Sequence, residues 1–196
     1  MPASPLGHTL AVGKLVGLLV GLLIVAVVAG IGYQEWTAAH APVAAPTAPT
    51  VVPPEDLPNP DLTPGMADAK VTQQTLKTTV CVGGYTKTVR PPPAYTDQLK
   101  KQQMREYGRP GKASDYQEDH LIPLGLGGSP TDTRNLWPQP RAGYWGSQRK
   151  DDLEYYLYGR VCFGGLPLEQ ARHDIASNWV AAFQHYRPPA SNQTVD

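Results

Sequence analysis

One stretch of sequence decides how this chain folds: residues 118–128, Glu-Asp-His-Leu-Ile-Pro-Leu-Gly-Leu-Gly-Gly, followed by residues 135–137, Asn-Leu-Trp. Asp119 and His120 place a carboxylate, a hard oxygen ligand, next to an imidazole. A glycine-containing turn then delivers Asn135, fifteen residues after His120. Metal-assisted hydrolysis uses these three groups, because a carboxylate holds the cation, an imidazole activates water and an amide orients the imidazole.

The residues around this stretch predict two short strands that lead into a helix. Glu118–Leu124 is predicted as the first strand and Asn135–Pro138 as the second, with a loop over 127–133 between them. A helix is predicted from Ser147 to Tyr158, with its apolar residues facing a core. The fold class predicted is therefore α+β, with a hairpin and a helix at its centre.

The rest of the folded domain is predicted to extend over residues 70–187. Thr78–Val82 and Tyr85–Val89, joined by two glycines, predict an N-terminal β-hairpin. Thr96 is a candidate cap for a helix that ends at Tyr107. A last amphipathic helix is predicted from Pro167. Its predicted core face consists of Leu168, Ala171, Ile175, Trp179 and Phe183.

The charge is unevenly distributed, although the chain is formally neutral. Residues 70–114 hold nine Lys and Arg side chains and only two acidic ones. Such a basic segment next to the Asp-His pair suits a polyanionic partner, so nucleic acid is the predicted one. The predicted basic face of the helix consists of Lys100, Lys101 and Arg105. An ordinary solvated surface is the alternative interpretation.

The N-terminal part contains nineteen uncharged, mostly apolar positions at residues 15–33. A helix of this length measures about 28 Å, close to the ~30 Å hydrocarbon core of a membrane. We therefore predict a transmembrane signal anchor, with residues 1–14 in the cytoplasm and the C-terminal domain outside it. A cleaved signal peptide is the alternative, because Ala39-His40-Ala41 resembles a cleavage site. Both interpretations export the domain.

Residues 34–69 are predicted to be an extended linker, and residues 188–196 a disordered tail. From Ala41 to Gly65 the chain has eight prolines and neither Lys nor Arg. In the polyproline II conformation this segment would reach about 75 Å.

The two cysteines of the chain are Cys81 and Cys162. Export to an oxidising compartment favours a disulfide between them, which would contribute about 4–5 kcal/mol on the chain-entropy model. Two separate buried thiols are the alternative. The absence of a Cys-x-x-Cys pattern argues against a zinc finger.

The central stretch resembles the HNH, or ββα-metal, nuclease family. The resemblance extends over about residues 78–186. It is carried by Asp119-His120, Pro123-Leu124, Gly127-Gly128 and residues 135–140, Asn-Leu-Trp-Pro-Gln-Pro. It implies a nuclease, with His120 as general base, Asp119 as metal ligand and Asn135 accepting a hydrogen bond from the imidazole. It also implies a divalent metal, Mg²⁺ or Mn²⁺, and nucleic acid as the substrate, with DNA expected and RNA left open.

The sequence departs from the family where the helix usually supplies a second metal ligand. Gly146 stands in this region and has no ligating side chain, so Gln148 is predicted as the substitute ligand. Arg149 and Lys150 are predicted to neutralise phosphates. The departure keeps open a second hypothesis, a degenerate HNH scaffold that binds nucleic acid or an envelope partner without cleaving. A structural envelope protein is the third.

Three aromatic residues flank the predicted site, namely Trp137, Tyr144 and Trp145. They would stack unpaired bases in one interpretation and fill the core in the other. The leading hypothesis from the sequence is an exported, membrane-tethered endonuclease that hydrolyses phosphodiester bonds.

Overall fold

The computed structural model describes residues 47–188. This part of the chain is mixed α+β, with one two-stranded antiparallel hairpin and four helices, which confirms the predicted class. The elements are α1 (Tyr85–Val89), α2 (Pro93–Glu106), β1 (Tyr116–His120), β2 (Leu136–Pro140), α3 (Ser147–Cys162) and α4 (Leu168–Tyr186). Short 3₁₀ turns connect several of them.

The hairpin pairs β1 with β2, so that Asp119 lies opposite Trp137 and His120 opposite Leu136. Side chains alternate between the faces of a strand, which puts Asp119 and Trp137 on one face and His120 on the other. The first strand ends at His120, earlier than predicted. Pro123 has no N–H to donate to a ladder, and a 3₁₀ turn follows it at Leu124–Leu126.

The predicted N-terminal β-hairpin is wrong. Leu76–Thr78 is a 3₁₀ turn and Tyr85–Val89 is helical, entered through Gly84 at φ +83°. The threonines that suggested a strand bond to the backbone nearby: the Thr79 hydroxyl donates to the Thr75 carbonyl at 2.7 Å. Local bonds of this kind offer the backbone an alternative to a β ladder.

Helix α2 supports the hairpin from one side. It begins at Pro93, three residues before the predicted cap at Thr96, because proline suits the first turn of a helix. The buried Gln103 donates from Nε2 to the carbonyls of Thr133 at 3.0 Å and Leu136 at 2.9 Å. The start of β2 is thereby tied to α2.

Helices α3 and α4 enclose the main core. The predicted apolar face of α4 is confirmed, since Leu168, Ala171, Ile175 and Trp179 are fully buried. The helix is interrupted at Asn178, whose backbone is extended at φ −167° and ψ 98°.

The disulfide between Cys81 and Cys162 is confirmed, with Cα atoms 5.6 Å apart. It joins the segment before α1 to the last residue of α3.

The folded unit begins before residue 70, the boundary predicted from sequence. Trp179 donates from its indole to the Asp56 carbonyl at 2.9 Å. The buried Thr63 hydroxyl donates to the Leu136 carbonyl at 3.0 Å. The segment predicted as an extended linker thus contains a 3₁₀ turn at Pro54–Asp56, and residues from about 54 onward pack on the domain.

The predicted membrane-anchored localisation requires a correction. Among residues 47–188 no helix combines the length and apolar character that crossing a membrane needs. The transmembrane helix predicted at 15–33 lies outside the described residues. Residues 34–46 of the predicted linker and residues 189–196 of the predicted tail also lie outside them. Membrane attachment is not part of the function proposed below.

Candidate functional site

Asn135 holds the loop between the two strands together. Its Oδ1 accepts hydrogen bonds from the backbone N–H groups of Ile122 at 3.0 Å and Met66 at 3.2 Å. Its Nδ2 donates to the carbonyls of Ile122 and Ser129, both at 3.0 Å. All four bonds go to backbone, so the predicted bond from the imidazole of His120 to Asn135 is not made. The amide is satisfied by the loop instead, and its role is structural.

The glycines of the loop are required by close packing around this amide. A Cβ on Gly128 would lie 1.7 Å from the Ile122 carbonyl oxygen and 2.8 Å from Asn135 Nδ2. Gly127 has φ +70°, a conformation that L side chains rarely adopt. The buried Arg172 donates from Nε to the Leu126 carbonyl at 2.8 Å and so ties the loop to α4.

His120 has a ring nitrogen suited to accept a proton. Its Nε2 lies 3.0 Å from the Pro130 carbonyl oxygen. A carbonyl only accepts, so Nε2 carries the proton and Nδ1 is unprotonated in the neutral ring. Burial lowers the pKa of His120, although the Pro130 bond and the Asp119 charge oppose this effect. The imidazole is therefore neutral, as a general base must be, at neutral pH.

Asp119 is buried, with 4% of its surface exposed. Its Oδ2 accepts from Trp137 Nε1 at 3.0 Å and from Lys150 Nζ at 2.7 Å. Trp137 and Trp145 are fully buried, so the core interpretation of these tryptophans is confirmed and base stacking on them is excluded.

Lys150 is the ammonium at the centre of the site. It has no exposed surface, and its Nζ also donates to the His120 carbonyl at 2.9 Å and to Glu154. Burial disfavours the charged amine, but the charges of Asp119 and Glu154 outweigh burial and raise the pKa of Lys150. The predicted phosphate contact of Lys150 is therefore not available, because its ammonium is enclosed by carboxylates.

Three carboxylates meet around this lysine. Oxygens of Asp119, Asp151 and Glu154 all lie within 4.8 Å of one another. Burial, together with the Asp119 charge, raises the pKa of Asp151 to about 6. Burial likewise raises the pKa of Glu154, against the opposing charge of Lys150. Ionisation of all three carboxylates would place more negative charge here than one ammonium balances, and this repulsion adds to the effect of burial.

Gln148, the predicted metal ligand, lies on another side of α3. Its Nε2 donates to Asp152 Oδ1 at 3.3 Å, one turn along the helix. Asp151 and Glu154 line the cleft beside the hairpin and Gln148 does not.

A cleft of about 50 Å³ opens onto these groups. It is lined by Arg90, Gln117, Glu118, Asp119, His120, Pro123, Leu124, Asp151 and Glu154. Only Asp119 and His120 among them were predicted from the sequence. The spacing of Asp151 and Glu154 on one helix face was a usable signal for two of the others.

Two residues of the cleft are unpaired within the described part of the chain. Both carboxylate oxygens of Glu118 are buried there without a hydrogen-bond partner. Burial, with the Asp119 charge, raises the pKa of Glu118 to about 8. Arg90 is exposed, and its guanidinium makes no hydrogen bond or ion pair with residues 47–188.

The remaining predicted basic residues do not line the cleft. Lys100 pairs with Asp97 at 3.4 Å on α2, where Lys101 and Arg105 are exposed. The Arg149 guanidinium lies 3.9 Å from the centre of the Tyr144 ring. These side chains could meet a polyanion outside the cleft, but they are not part of the site itself.

Comparison of the chain with protein-family models, with curated proteins and with solved structures found no match.

Proposed function

We propose that this protein is a metal-dependent hydrolase of phosphodiester bonds in nucleic acid, built on an HNH-like ββα arrangement. The observation that carries the proposal is the setting of His120. A neutral imidazole with a fixed proton on Nε2 lines the same small cleft as three clustered carboxylates. General base catalysis needs such a nitrogen, and hydrolysis of a phosphodiester needs positive charge next to it.

In the proposed reaction the chain's own groups handle one proton. A water in the cleft gives a proton to Nδ1 of His120 while its oxygen bonds to phosphorus. The bond from phosphorus to the leaving oxygen breaks, and that oxygen takes a proton from solvent. The Pro130 carbonyl stabilises the imidazolium by accepting from Nε2, and the Asp119 charge does so through space.

The donor set fits a hard divalent cation. Asp119, Asp151 and Glu154 would hold Mg²⁺ or Mn²⁺, since both prefer oxygen ligands. The unpartnered oxygens of Glu118 add further acceptors to the cleft. When bound, the metal would supply charge that polarises the phosphate. Lys150 already neutralises part of the cluster, so it competes with the cation and also keeps the carboxylates together when none is present.

Arg90 is the group we propose to contact the scissile phosphate. It lies at the cleft, is exposed and has no partner in the described residues. A free guanidinium binds phosphate oxygens in a bidentate manner.

The test is a nicking assay with the full chain, supercoiled plasmid DNA, and Mg²⁺ or Mn²⁺. We expect metal-dependent nicking that EDTA stops and that His120→Ala abolishes. His173→Ala is the matched control, because His173 is exposed on α4 outside the cleft. No cleavage with either metal, of DNA or of an RNA substrate, would refute the proposal, as would full activity of His120→Ala.

The pairing of Lys150 favours a second candidate, a scaffold that binds nucleic acid without cleaving it. An ammonium bonded to Asp119 and Glu154 already meets part of the cluster's need for positive charge. Calorimetric titration with Mn²⁺ separates the two candidates. Binding that Asp119→Asn removes favours the hydrolase, and no binding by the wild-type chain favours the scaffold.

A further inference from the structure

A second, mostly apolar cavity opens next to the cleft, and we call it the tyrosine groove. Its volume is about 190 Å³, and its lining includes Tyr85, Tyr155 and Tyr158. The groove and the cleft share Arg90, Pro123, Leu124 and Glu154. A ligand bound at the cleft can therefore extend into the groove with Arg90 at the junction.

The aromatic side chains of the groove are accessible, unlike the tryptophans of the core. Tyr155 has 49% of its surface exposed, and Val82 across the groove has 46%. Tyr158 packs edge-on against Phe163, with ring centres 6.3 Å apart, which fixes its orientation. Exposed tyrosines with apolar neighbours provide a surface on which a flat ring stacks.

The walls of the groove are held in place by the disulfide. Cys81 lies between two lining residues, Val80 and Val82, and Cys162 ends the helix that carries Tyr155 and Tyr158. Two segments distant in sequence are thereby fixed relative to one another. A site fixed in advance loses less entropy when a ligand binds.

We infer that the tyrosine groove binds an unpaired nucleobase of a single-stranded nucleic acid, the base next to the phosphate held at the cleft. The inference rests on the proposed function, which places a phosphodiester at the cleft. The volume is sufficient, because a cavity of about 150 Å³ accepts a benzene ring. A paired base would first have to leave the duplex, at a cost of about a few kcal/mol, so single strands are favoured.

The test measures binding without cleavage, using the full chain in EDTA and fluorescence anisotropy. The probes are a labelled single strand of roughly twelve nucleotides, the same strand with abasic sites, and its duplex. We expect Tyr155→Ala to weaken binding of the single strand about tenfold, the usual loss of one stacking contact. Tyr155→Phe, which keeps the ring, should retain binding. Binding of the abasic strand should not depend on Tyr155.

Two controls separate the groove from its surroundings. Tyr95→Ala removes an aromatic side chain that is 37% exposed on α2 and does not line the groove, so it should leave binding unchanged. Arg90→Gln should weaken binding of the intact and the abasic strand alike, because a contact with phosphate does not depend on the base. Since Tyr155 is half exposed, its truncation leaves no buried void that would unfold the protein.

The outcomes distinguish this inference from the proposed function. Any of three results would overturn the inference. Tyr155→Ala could lose the same affinity for the intact and the abasic strand, or lose none for either. The wild type could also bind the duplex as tightly as the single strand. Metal-dependent nicking lost in His120→Ala would still uphold the hydrolase in those cases. Base-dependent binding that requires Tyr155, in a chain that never cleaves, would support the groove and refute the hydrolase.

Discussion

Lys150 Nζ lies 2.7 Å from Asp119 Oδ2, and neither side chain has more than 4% of its surface exposed. This ion pair joins α3 to the strand that ends at His120. It therefore sets the distance between the helix that carries Asp151 and Glu154 and the strand that carries the imidazole. The chemistry of the site and the packing of the domain depend on the same contact.

Replacing this lysine should destabilise the protein strongly. Lys150→Met leaves Asp119 and Glu154 buried without their counter-ion, and breaking a buried pair costs about 3–5 kcal/mol. Urea unfolding should show this loss, while Lys101→Met on the exposed side of α2 should change stability by less than about 0.5 kcal/mol. Mn²⁺ should raise the unfolding midpoint of Lys150→Met more than that of the wild type. Equal responses to Mn²⁺ would argue against a metal at the carboxylates.

Asn135→Ala should lower stability by about 2–4 kcal/mol, because it leaves buried backbone groups of the loop unpaired. Activity should fall together with stability. His120→Ala differs, since it should abolish nicking while the urea midpoint changes little in comparison. A stable, inactive Asn135→Ala would instead assign this amide a direct role in the reaction.

Any side chain at position 128 should destabilise the loop between the two strands. Gly128→Ala would place Cβ 1.7 Å from the Ile122 carbonyl oxygen, and backbone must move to relieve the clash. We expect loss of soluble folded protein or a fall in thermal stability greater than that from most single substitutions. Gly83→Ala is the matched control, because no atom lies within 4 Å of its added Cβ. Similar melting temperatures for the two variants would contradict the packing described here.

Ionisation of Glu118 should lower the free energy of unfolding as pH rises. Its pKa is raised from 4.5 to about 8 in the folded protein, so folding favours the protonated acid. Its contribution is complete below the unfolded pKa, near 4.5, and is lost as pH rises through about 8. Glu118→Gln should therefore stabilise the protein at pH 8.5 and have little effect at pH 4.5. Thermal melts at the two pH values measure this, with Asp61→Asn as an exposed control. A gain in the stability of Glu118→Gln that is the same at both pH values would contradict this prediction.

The disulfide should contribute about 4–5 kcal/mol, since it closes a loop of 81 residues. The double variant Cys81→Ala/Cys162→Ala should unfold at a lower urea concentration by that free energy. A reductant should shift the wild type to the same midpoint and leave the double variant unchanged. If the reductant shifted both alike, the effect would not come from this bond.

The predictions from sequence succeeded where local pattern and burial agreed. The apolar spacing from Leu168 to Trp179 predicted the core face of α4, and the paired cysteines predicted the disulfide. They failed at Thr78–Val89, where β-branched residues suggested strands. Threonine hydroxyls and a disulfide stabilised a turn and a short helix there, and single-residue propensities do not contain either contact.

The sequence by itself determined the α+β class, the two strands on either side of the glycine turn and the helix that follows. These depend on chain-local features: proline, glycine and the period of apolar residues. Only the tertiary structure decided what the polar residues do. It turned Asn135 toward backbone, enclosed Lys150 among carboxylates and moved Gln148 away from the site. It also brought Arg90 to the cleft from a distant part of the chain. A charged side chain interacts with the groups that folding places within a few ångströms of it. The order of residues in the sequence does not fix those distances.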